Sequence, residues 1–573
     1  MGNAPPHEDC WDKTTKDGRP GISVRDHCLN VGCIAEALLT FLPRQLKDLL
    51  PAGSAALAAL HDIGKVSPGF QRKSEAWLVQ RSLEARALNE GWSARVSDHA
   101  KISQFTVQEL LGQSRLYPWA AVVGAHHGRI KGVRVSLGEP WEQERRRLAA
   151  ELISEFASLP DTPPDDATLW YVAGLITVAD WIGSDDRHFP QDARWEMPER
   201  RRRAQTALTT IEWRSVKVRP LSGFRDLFPE IPQANTLQTA TDQTVRAPGT
   251  YVIEGPMGCG KTEAALAAAY QLIVSGKATG LYFALPTQVT SNRIHLRVQP
   301  FIHRISADPE AVRLVHSASW LAESRAPAEL RPAYPLDPAH MNDDNPEEHA
   351  EAGRSWFASS KRALLAPFGV GTVDQALLGI VAAKHFFVRQ FGLAGKVVIL
   401  DEVHTYDLYT GTLIGALVKR LRELQCTVII LSATLTEERR RELLGLPDGQ
   451  PASAAYPLVS GVAGSFLECA CEPPPSKTIR IRNVSGKLPL EEALERARHG
   501  ECLLWIRNTV DEAQETYRAL QSANSQGGPS IALLHSRFPF FRREQLENEW
   551  MNRLGKSPSN RSRRVRLGFN PGR

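Results

Sequence analysis

Residues 251–270 read YVIEGPMGCGKTEAALAAAY. The apolar run YVIEG leads directly into GPMGCGKT at 255–262, and the alanine-rich stretch that follows favours a helix. This order of strand, glycine-rich loop and helix is the context in which the pattern GxxxxGK[ST] binds phosphate. The segment therefore predicts a phosphate-binding loop at the end of a strand, and with it an α/β domain.

The residues of this loop have predicted contacts to ATP. Gly255, Gly258 and Gly260 let backbone N–H groups face the phosphates, and the N-terminus of the next helix adds positive potential. Lys261 is expected to reach the outer phosphates, and Thr262 is expected to meet Mg²⁺. The sequence therefore predicts ATP with magnesium as a cofactor.

Two further motifs follow at the ends of apolar strands. Asp401 and Glu402 come directly after KVVIL (396–400). We expect Asp401 to hold Mg²⁺ and Glu402 to position or activate the attacking water. The triplet SAT (432–434) ends the next apolar strand. Together with the phosphate-binding loop, these motifs resemble those of DExH-type superfamily 2 helicases.

Three weaker features fit the same resemblance. ALPTQVTSNRI (284–294) is similar to the first strand-contacting motif of these helicases, and GTVDQ (371–375) is similar to another. Gln238, upstream of the loop, is either the glutamine that reads adenine or an ordinary linker residue. The sequence leaves these two interpretations of Gln238 open.

The apolar pattern of the chain changes in its second quarter. Over residues 1–215 apolar positions recur with helical spacing, which predicts an all-α bundle. From residue 250 short apolar runs alternate with helical patterns, which predicts RecA-like α/β lobes whose parallel sheet is covered on both faces. We predict a first lobe at 216–445 and an incomplete second lobe at 446–573.

Histidine and aspartate residues cluster in short motifs across the predicted bundle. Two are doublets, HD at 61–62 and HH at 126–127. Imidazole and carboxylate together suit a two-metal centre for phosphodiester hydrolysis, and the preference for histidine favours Fe, Mn, Co or Ni over Mg or Ca. The candidate ligands are His27, His61, Asp62, His99, His126, His127 and Asp180.

Across nearly its full length the chain resembles the nuclease-helicase of type I CRISPR systems, leaning towards subtype I-E. In that family an HD phosphohydrolase-type domain precedes a superfamily 2 helicase. Downstream, the block from Ala366 to Asp407 is also similar to the family. The upstream segments that match are DHCLNVG (26–32), LHDIGKVSPGFQ (60–71), SDHAK (97–101), GAHHGR (124–129) and VADWIGSDD (178–186).

The resemblance implies how the ligands divide between two metal ions. His27, His61 and Asp180 would bind one ion with Asp62, and His99, His126 and His127 would bind the other. Asp62 would bridge the two ions, since its two oxygens can serve two metals. We expect Asp62 and Lys65 to be catalytic, because Lys65 lies one helical turn after His61 and can neutralise phosphate charge. Ser184 is a further candidate contact to this site.

The resemblance implies a metal-dependent single-stranded DNA nuclease coupled to ATP-dependent 3′-to-5′ unwinding in antiviral defence. Its substrate would be the non-target strand of an R-loop, displaced by an RNA-guided type I surveillance complex. DNA contacts would be to phosphates and stacked bases, hence largely independent of sequence. Two alternatives stay open: an HD phosphohydrolase with a DNA-repair helicase lobe, and an inactive scaffold that only docks on the surveillance complex.

The end of the chain departs from the resemblance. LLHSRFPFFRREQLENEW (533–550) leads into a basic stretch, and no motif resembling the arginine-bearing one of the second lobe follows. We therefore expect a truncated second lobe with weak or absent ATPase activity. The nuclease domain has all of its predicted metal ligands, so we expect it to cleave DNA without ATPase activity.

Composition sets the remaining expectations. The chain has 573 residues, 42% of them hydrophobic, and a formal net charge of +5, which is ordinary for a globular protein. No stretch approaches the ~20 apolar residues of a membrane span, and the eight cysteines form no CxxC pair. We expect a cytoplasmic, monomeric protein with reduced cysteines and no membrane contact.

Overall fold

The fold is taken from a computed structural model of the chain. It describes residues 4–15, 17–93, 98–129, 139–213, 217–286, 288–307, 314–316, 362–403, 408–447, 453–475, 478, 480–481, 490–524, 528–554 and 566–568. Two compact units are present, residues 1–474 and 475–573.

The described residues up to 210 fold into a helical bundle, as the apolar spacing predicted. A 3₁₀ helix, Leu60–Lys65, lies between the third and fourth helices. The α-helices are α1 (Val24–Phe41), α2 (Arg44–Lys47), α3 (Ser54–Ala59), α4 (Pro68–Gln71), α5 (Glu75–Gln80), α6 (Glu84–Asn89), α7 (His99–Leu111), α8 (Tyr117–Gly124), α9 (Glu139–Phe156), α10 (Asp166–Gly183) and α11 (Met197–Thr210).

N-terminal caps fix the start of three long helices in this bundle. The side chains of Ser23, Asp98 and Asp165 each accept a hydrogen bond from a backbone N–H in the first turn of α1, α7 and α10. Such a cap satisfies a donor that the helix itself leaves unpaired and contributes about 1 kcal/mol. The caps therefore set where each helix begins, and with it which side chains face the bundle interior.

Glycine allows two of these helices to approach closely. A Cβ on Gly183, at the end of α10, would lie 2.8 Å from Cγ2 of Val31 on α1. No larger residue fits there without moving one of the helices. The C-terminal end of α10 is thereby held against α1.

Residues 250–470 build one eight-stranded sheet in the order β3-β4-β2-β5-β6-β1-β7-β8. Strands β1 to β6 are parallel, and β7 and β8 form an antiparallel hairpin on β1. The strands are β1 (Thr250–Glu254), β2 (Leu281–Leu285), β3 (Leu314–His316), β4 (Phe368–Thr372), β5 (Val397–Leu400), β6 (Thr427–Ser432), β7 (Leu458–Ala463) and β8 (Ser465–Ala470).

Apolar strands and the helices between them account for this α/β layer. Every residue of β1, β2, β4, β5 and β6 is buried, which fits a parallel sheet covered on both faces. The register places Val252 of β1 opposite Ile430 of β6. The helices here are α12 (Phe224–Leu227), α13 (Thr236–Thr244), α14 (Lys261–Val274) and α15 (Gln288–Ile305), then Val373–Leu377, Phe386–Leu393, Leu408–Glu423 and Glu437–Leu444.

The hairpin β7–β8 bears on the predicted domain limits. It lies after residue 445, yet it pairs with β1 of the first sheet. In this antiparallel pair Val252 lies opposite Ser460. The first compact unit accordingly ends at Pro474. The sheet itself therefore extends to Ala470, and the limits of the three predicted domains stay a prediction.

The second unit has its own small sheet and core. Its three parallel strands, in the order β10-β11-β9, are β9 (Leu503–Leu504), β10 (Ser530–Ile531) and β11 (Arg566–Gly568). Its helices are Leu490–Arg498, Val510–Ala523 and Phe540–Leu554, with Leu494 and Leu520 at the centre of the core. Among the described residues, no helix is both long and apolar enough to cross a membrane.

Candidate metal centre and nucleotide-binding loop

The seven candidate ligands come from five segments of the chain and meet inside the bundle. His27 is on α1, Asp180 is near the end of α10, and His99 is the first residue of α7. They form two groups, in each of which one ligand atom per residue lies within 4.8 Å of the others. The groups are His27, His61, Asp62 and Asp180, and His99, His126 and His127.

A glycine in the HD motif brings these groups together. His61 and Asp62 lie in the 3₁₀ helix Leu60–Lys65, which packs on the start of α7. A Cβ on Gly64 would collide with the carbonyl oxygen of His99, so the two segments touch only because residue 64 lacks a side chain. The N–H of Gly64 also donates to Oγ of Ser103 at 2.9 Å. The HD motif and His99 are therefore held in direct contact.

Backbone carbonyls orient two of the imidazoles. Nδ1 of His61 lies 2.9 Å from the carbonyl oxygen of Ala58, and Nδ1 of His126 lies 2.8 Å from that of Val123. A carbonyl oxygen only accepts, so each Nδ1 carries the proton in the neutral ring. The lone pair is then on Nε2, and both Nε2 atoms face Asp62.

The two carboxylate oxygens of Asp62 divide between the two groups. Oδ2 lies 3.3 Å from Nε2 of His27 and 3.2 Å from Nε2 of His61. Oδ1 lies 3.4 Å from Nε2 of His99 and 3.3 Å from Nε2 of His126. Asp62 therefore stands between the groups with one oxygen for each.

Asp180 completes the first group. Its Oδ1 lies 3.5 Å from Nε2 of His27 and 3.4 Å from Nε2 of His61. Ser184, one turn later, donates its hydroxyl to the same oxygen at 2.9 Å. Ser184 thus contacts a candidate ligand and fixes the carboxylate's orientation.

The donor set fits divalent transition metals. Nε2 of His27 lies 3.2 Å from Nε2 of His61, and Nε2 of His99 lies 2.8 Å from Nε2 of His127. Two imidazole lone pairs aimed at one point repel each other unless a cation or a shared proton lies there. In the described part of the chain, Nε2 of His126 is buried without a hydrogen-bond partner. Converging imidazoles and carboxylates are the ligands that such metals prefer.

The charges of the centre favour a cation in the first group. Burial opposes a positive charge on His61, but Asp62 and Asp180 outweigh it and raise the pKa of His61 to about 10. In the second group, His126 and then burial lower the pKa of His127 to about 3. The carboxylates that favour a proton on His61 would equally favour a metal ion, and a neutral His127 keeps a lone pair to donate.

Lys65 lies in the centre, and its ammonium is already paired. Its Nζ lies 2.7 Å from Oδ2 of Asp62 and 2.7 Å from Oδ1 of Asp12. Only 7% of Lys65 is exposed. The predicted side chain therefore does face the site, in contact with two carboxylates.

The phosphate-binding loop has the expected shape between β1 and α14. Gly258 and Gly260 have φ angles of 79° and 87°, a region that favours glycine. Nζ of Lys261 donates to the carbonyl oxygens of Gly255 at 2.6 Å and Pro256 at 3.1 Å. Thr262 is the second residue of α14. The loop thus curls around the lysine ammonium at the helix N-terminus.

The acidic pair follows β5 as predicted. Asp401 is 8% exposed, and its Oδ1 accepts from the N–H of Glu402 at 2.9 Å. Burial and the charge of Glu402 raise the pKa of Asp401 to about 6. Glu402 itself has a φ of 55°, an uncommon conformation outside glycine that is found at functional sites.

Gln238 contacts the loop rather than open space. Its Oε1 accepts from the N–H of Asn235 at 3.0 Å, and its Nε2 donates to the carbonyl oxygen of Gly260 at 3.4 Å. Asn235 and Gln238 form a capping box at the start of α13. The adenine-reading role of Gln238 stays a prediction.

Comparisons with known proteins identify the family. A model of the Cas3 HD domain matches residues 11–189, and a model of the C-terminal part of the CRISPR-associated nuclease/helicase Cas3 matches residues 499–568. The CRISPR-associated endonuclease/helicase Cas3 of Escherichia coli is 30% identical over 96% of this chain and 69% of its own length. The chain belongs to the Cas3 family.

Two further Cas3 proteins are similar to the chain. The endonuclease/helicase Cas3 of Thermus thermophilus is 34% identical over 88% of this chain, which spans 59% of that relative's length. The crystal structure of T. fusca Cas3 with AMPPNP is 26% identical, with a TM-score of 0.78, and is matched over 99% of this chain and 69% of its own. The resemblance drawn from the sequence motifs is therefore confirmed.

Asp12 is a residue of this Cas3-family centre that the sequence motifs did not reveal. It lies in an irregular segment before α1, in the range that the HD-domain model matches. No periodic pattern or doublet marks it in the sequence. Its buried contact with Lys65 arises only from the tertiary fold.

Proposed function

We propose that this chain is a metal-dependent single-stranded DNA nuclease joined to an ATP-driven motor of type I CRISPR defence. The observation that carries the proposal is the position of Asp62, with one carboxylate oxygen facing each histidine group. A bridging carboxylate between two ligand sets suits two-metal phosphodiester hydrolysis, because it can hold both ions close together.

Each group would hold one divalent ion, with Fe, Mn, Co or Ni as the candidates. When bound, the ions supply Lewis acidity and a nucleophile at neutral pH. Ser184 holds the orientation of Asp180, and Lys65 holds Oδ2 of Asp62. The first ion would take His27, His61, Asp62 and Asp180, and the second Asp62, His99, His126 and His127.

The α/β sheet would bind ATP with magnesium at the end of β1. Lys261 would move from the loop carbonyls to the outer phosphates, and Thr262 would meet Mg²⁺ at the start of α14. Asp401 would hold the metal and Glu402 would position water, while Gln238 would support the loop through the carbonyl oxygen of Gly260. Gly255, Gly258 and Gly260 would let the backbone approach the phosphates.

The substrate would be the non-target strand of an R-loop made by an RNA-guided type I surveillance complex. Membership of the Cas3 family supports this partner. Where the motor hydrolyses ATP, it would pull single-stranded DNA with 3′-to-5′ polarity and feed it to the metal centre. The contacts would be made mostly to phosphates and stacked bases, so they would depend little on sequence.

The test is a nicking assay on circular single-stranded DNA with added Mn²⁺, Co²⁺ or Ni²⁺. We expect cleavage by the unaltered chain and its loss in Asp62→Ala. Asp17→Ala is the matched control, because Asp17 is an exposed carboxylate of the same domain. Cleavage retained in Asp62→Ala would overturn the proposal. Hydrolysis of free nucleotides without DNA nicking would favour a nucleotide phosphohydrolase instead.

A further inference from the structure

We propose that Asp12 is a positioning residue of the metal centre, which orients His27 and shares Lys65 with Asp62. This inference rests on the proposed nuclease function. Asp12 is 2% exposed and lies outside every motif that marks the family in the sequence. A buried carboxylate needs compensating partners, so its contacts indicate what it does.

The first contact is to Lys65. The ammonium lies 2.7 Å from Oδ1 of Asp12 and the same distance from Oδ2 of Asp62. Without Asp12, the ammonium would direct its whole charge at Asp62 and compete with a metal ion for Oδ2. By taking part of that charge, Asp12 leaves Oδ2 of Asp62 available to the metal group that includes His27.

The second contact is to His27. Nδ1 of this buried imidazole lies 3.9 Å from Oδ2 of Asp12, longer than a hydrogen bond but close for a buried charge. No hydrogen-bond acceptor contacts this Nδ1 in the described part of the chain. When a metal ion takes the lone pair of Nε2, the ring proton lies on Nδ1, and the negative charge of Asp12 stabilises it there.

A comparison within the centre supports this assignment. His61 and His126 each have a backbone carbonyl oxygen within 2.9 Å of Nδ1, which fixes their tautomer. His27 has a carboxylate where those two have a carbonyl. Histidine ligands usually give their other ring N–H to a carboxylate or a carbonyl, which orients the ring and raises its basicity. Where the backbone gives the other two imidazoles a hydrogen bond, Asp12 gives His27 a negative charge at 3.9 Å.

The fold holds Asp12 in this position through Gln71. Its Nε2 donates to the carbonyl oxygens of Trp11 at 3.0 Å and Lys65 at 2.9 Å, and its Oε1 accepts from the N–H of Trp11 at 3.1 Å. The N–H of Asp12 donates to the carbonyl oxygen of Ile22 at 3.0 Å. The buried amide therefore joins the segment before α1 to the end of the HD motif, with Asp12 beside Lys65.

The test measures Mn²⁺ binding to the full chain by isothermal titration calorimetry. Asp12→Asn keeps the shape of the side chain and removes its charge. We expect it to weaken one of two Mn²⁺ sites about 10- to 100-fold, the usual effect of removing a partner of a ligand, and to leave the other site unchanged. Asp12→Glu should restore part of the affinity, and Asp17→Asn, which changes an exposed carboxylate, should bind as the unaltered chain does.

The outcomes separate this inference from the proposed function. Two unaltered Mn²⁺ sites in Asp12→Asn would overturn the role of Asp12 and leave the nuclease proposal standing. Equal weakening of both sites would also overturn it, because a general loosening of the fold would act on both groups. An unaltered chain that binds no Mn²⁺ would overturn the metal centre itself, and with it this inference.

Discussion

The backbone N–H of His385 donates a hydrogen bond to the carbonyl oxygen of Gly128 at 3.1 Å. Gly128 directly follows the histidine doublet of the metal centre, whereas His385 precedes the helix Phe386–Leu393 beside the sheet. The indole of Trp181 also packs edge-on against His385, with ring centroids 5.6 Å apart. The candidate metal centre and the α/β layer are therefore joined through the loop that carries His127.

Gly128→Ala should selectively weaken metal binding by the second group, which consists of His99, His126 and His127. Gly128 has a φ of 94°, and a Cβ there would lie 2.8 Å from Nε2 of His385 and 2.7 Å from Cγ of Lys384. A side chain in this backbone region costs about 1–3 kcal/mol, and relieving that strain would shift the backbone next to His127. We expect about tenfold weaker binding of one of two Mn²⁺ ions in calorimetry.

Gly91→Ala is the matched control for that substitution. Gly91 is exposed, has a φ of 66°, and has no atom within 4 Å of the added Cβ. It therefore carries backbone strain without the contact to His385. Equal Mn²⁺ affinity in both variants would contradict the coupling of Gly128 to the metal centre.

Gln238→Ala should weaken the binding of ATP and the binding of GTP by similar factors. The amide of Gln238 already contacts Asn235 and the carbonyl oxygen of Gly260, so its loss removes one of the two bonds of the capping box and a support of the loop that binds phosphate. These contacts do not distinguish the two bases. We expect the affinity for each nucleotide to fall two- to tenfold, on the order of 0.5–1.4 kcal/mol. Titrations of fluorescent nucleotide analogues measure these affinities.

Gln243→Ala serves as the comparison, since Gln243 is exposed on the same helix, α13. It should bind both nucleotides as the unaltered chain does. A loss in Gln238→Ala confined to ATP would instead favour the adenine-reading role that the sequence left open.

Lys396 should make the stability of the first unit depend on pH. Its buried ammonium donates to the carbonyl oxygens of Leu364 at 2.7 Å and Ala366 at 2.5 Å, and burial lowers its pKa from 10.5 to about 7. Between these values the unfolded chain binds more protons than the folded one. The free energy of unfolding should therefore rise with pH from about 7 to 10.5, by up to about 1.4 kcal/mol per pH unit.

The measurement is denaturant unfolding at several pH values for the unaltered chain and Lys396→Met. The methionine variant should lack this rise, so the difference between the two curves should change steadily across the window. Lys47→Met replaces an exposed lysine and should keep the slope of the unaltered chain. Parallel curves for the unaltered chain and Lys396→Met would contradict the prediction.

Much of the metal centre could be predicted because its residues carry local signals. The doublets at 61–62 and 126–127 are visible in the sequence, and the structure brings both together with His99. The phosphate-binding loop was equally visible, since its glycines and Lys261 are adjacent in the chain. A site built from short motifs can be predicted from the sequence, because neighbouring residues in the motif determine the local backbone conformation.

Contacts between distant segments could not be predicted in this way. The pairing of Asp12 with Lys65 joins residues 53 positions apart, and nothing near either one specifies the other. The pairing of the hairpin β7–β8 with β1 is a second case, because the apolar pattern of a strand does not specify which strand it pairs with. The role of Gln238 in the loop is a third case, since its contact with Gly260 spans two elements.

The most direct test of the central claim is anomalous diffraction from crystals of the chain soaked in Mn²⁺. The account predicts two peaks about 3.5–4 Å apart, one beside Oδ1 of Asp62 among His99, His126 and His127, and one beside Oδ2 among His27, His61 and Asp180. A single ion, or two ions of which at least one does not contact a carboxylate oxygen of Asp62, would contradict it.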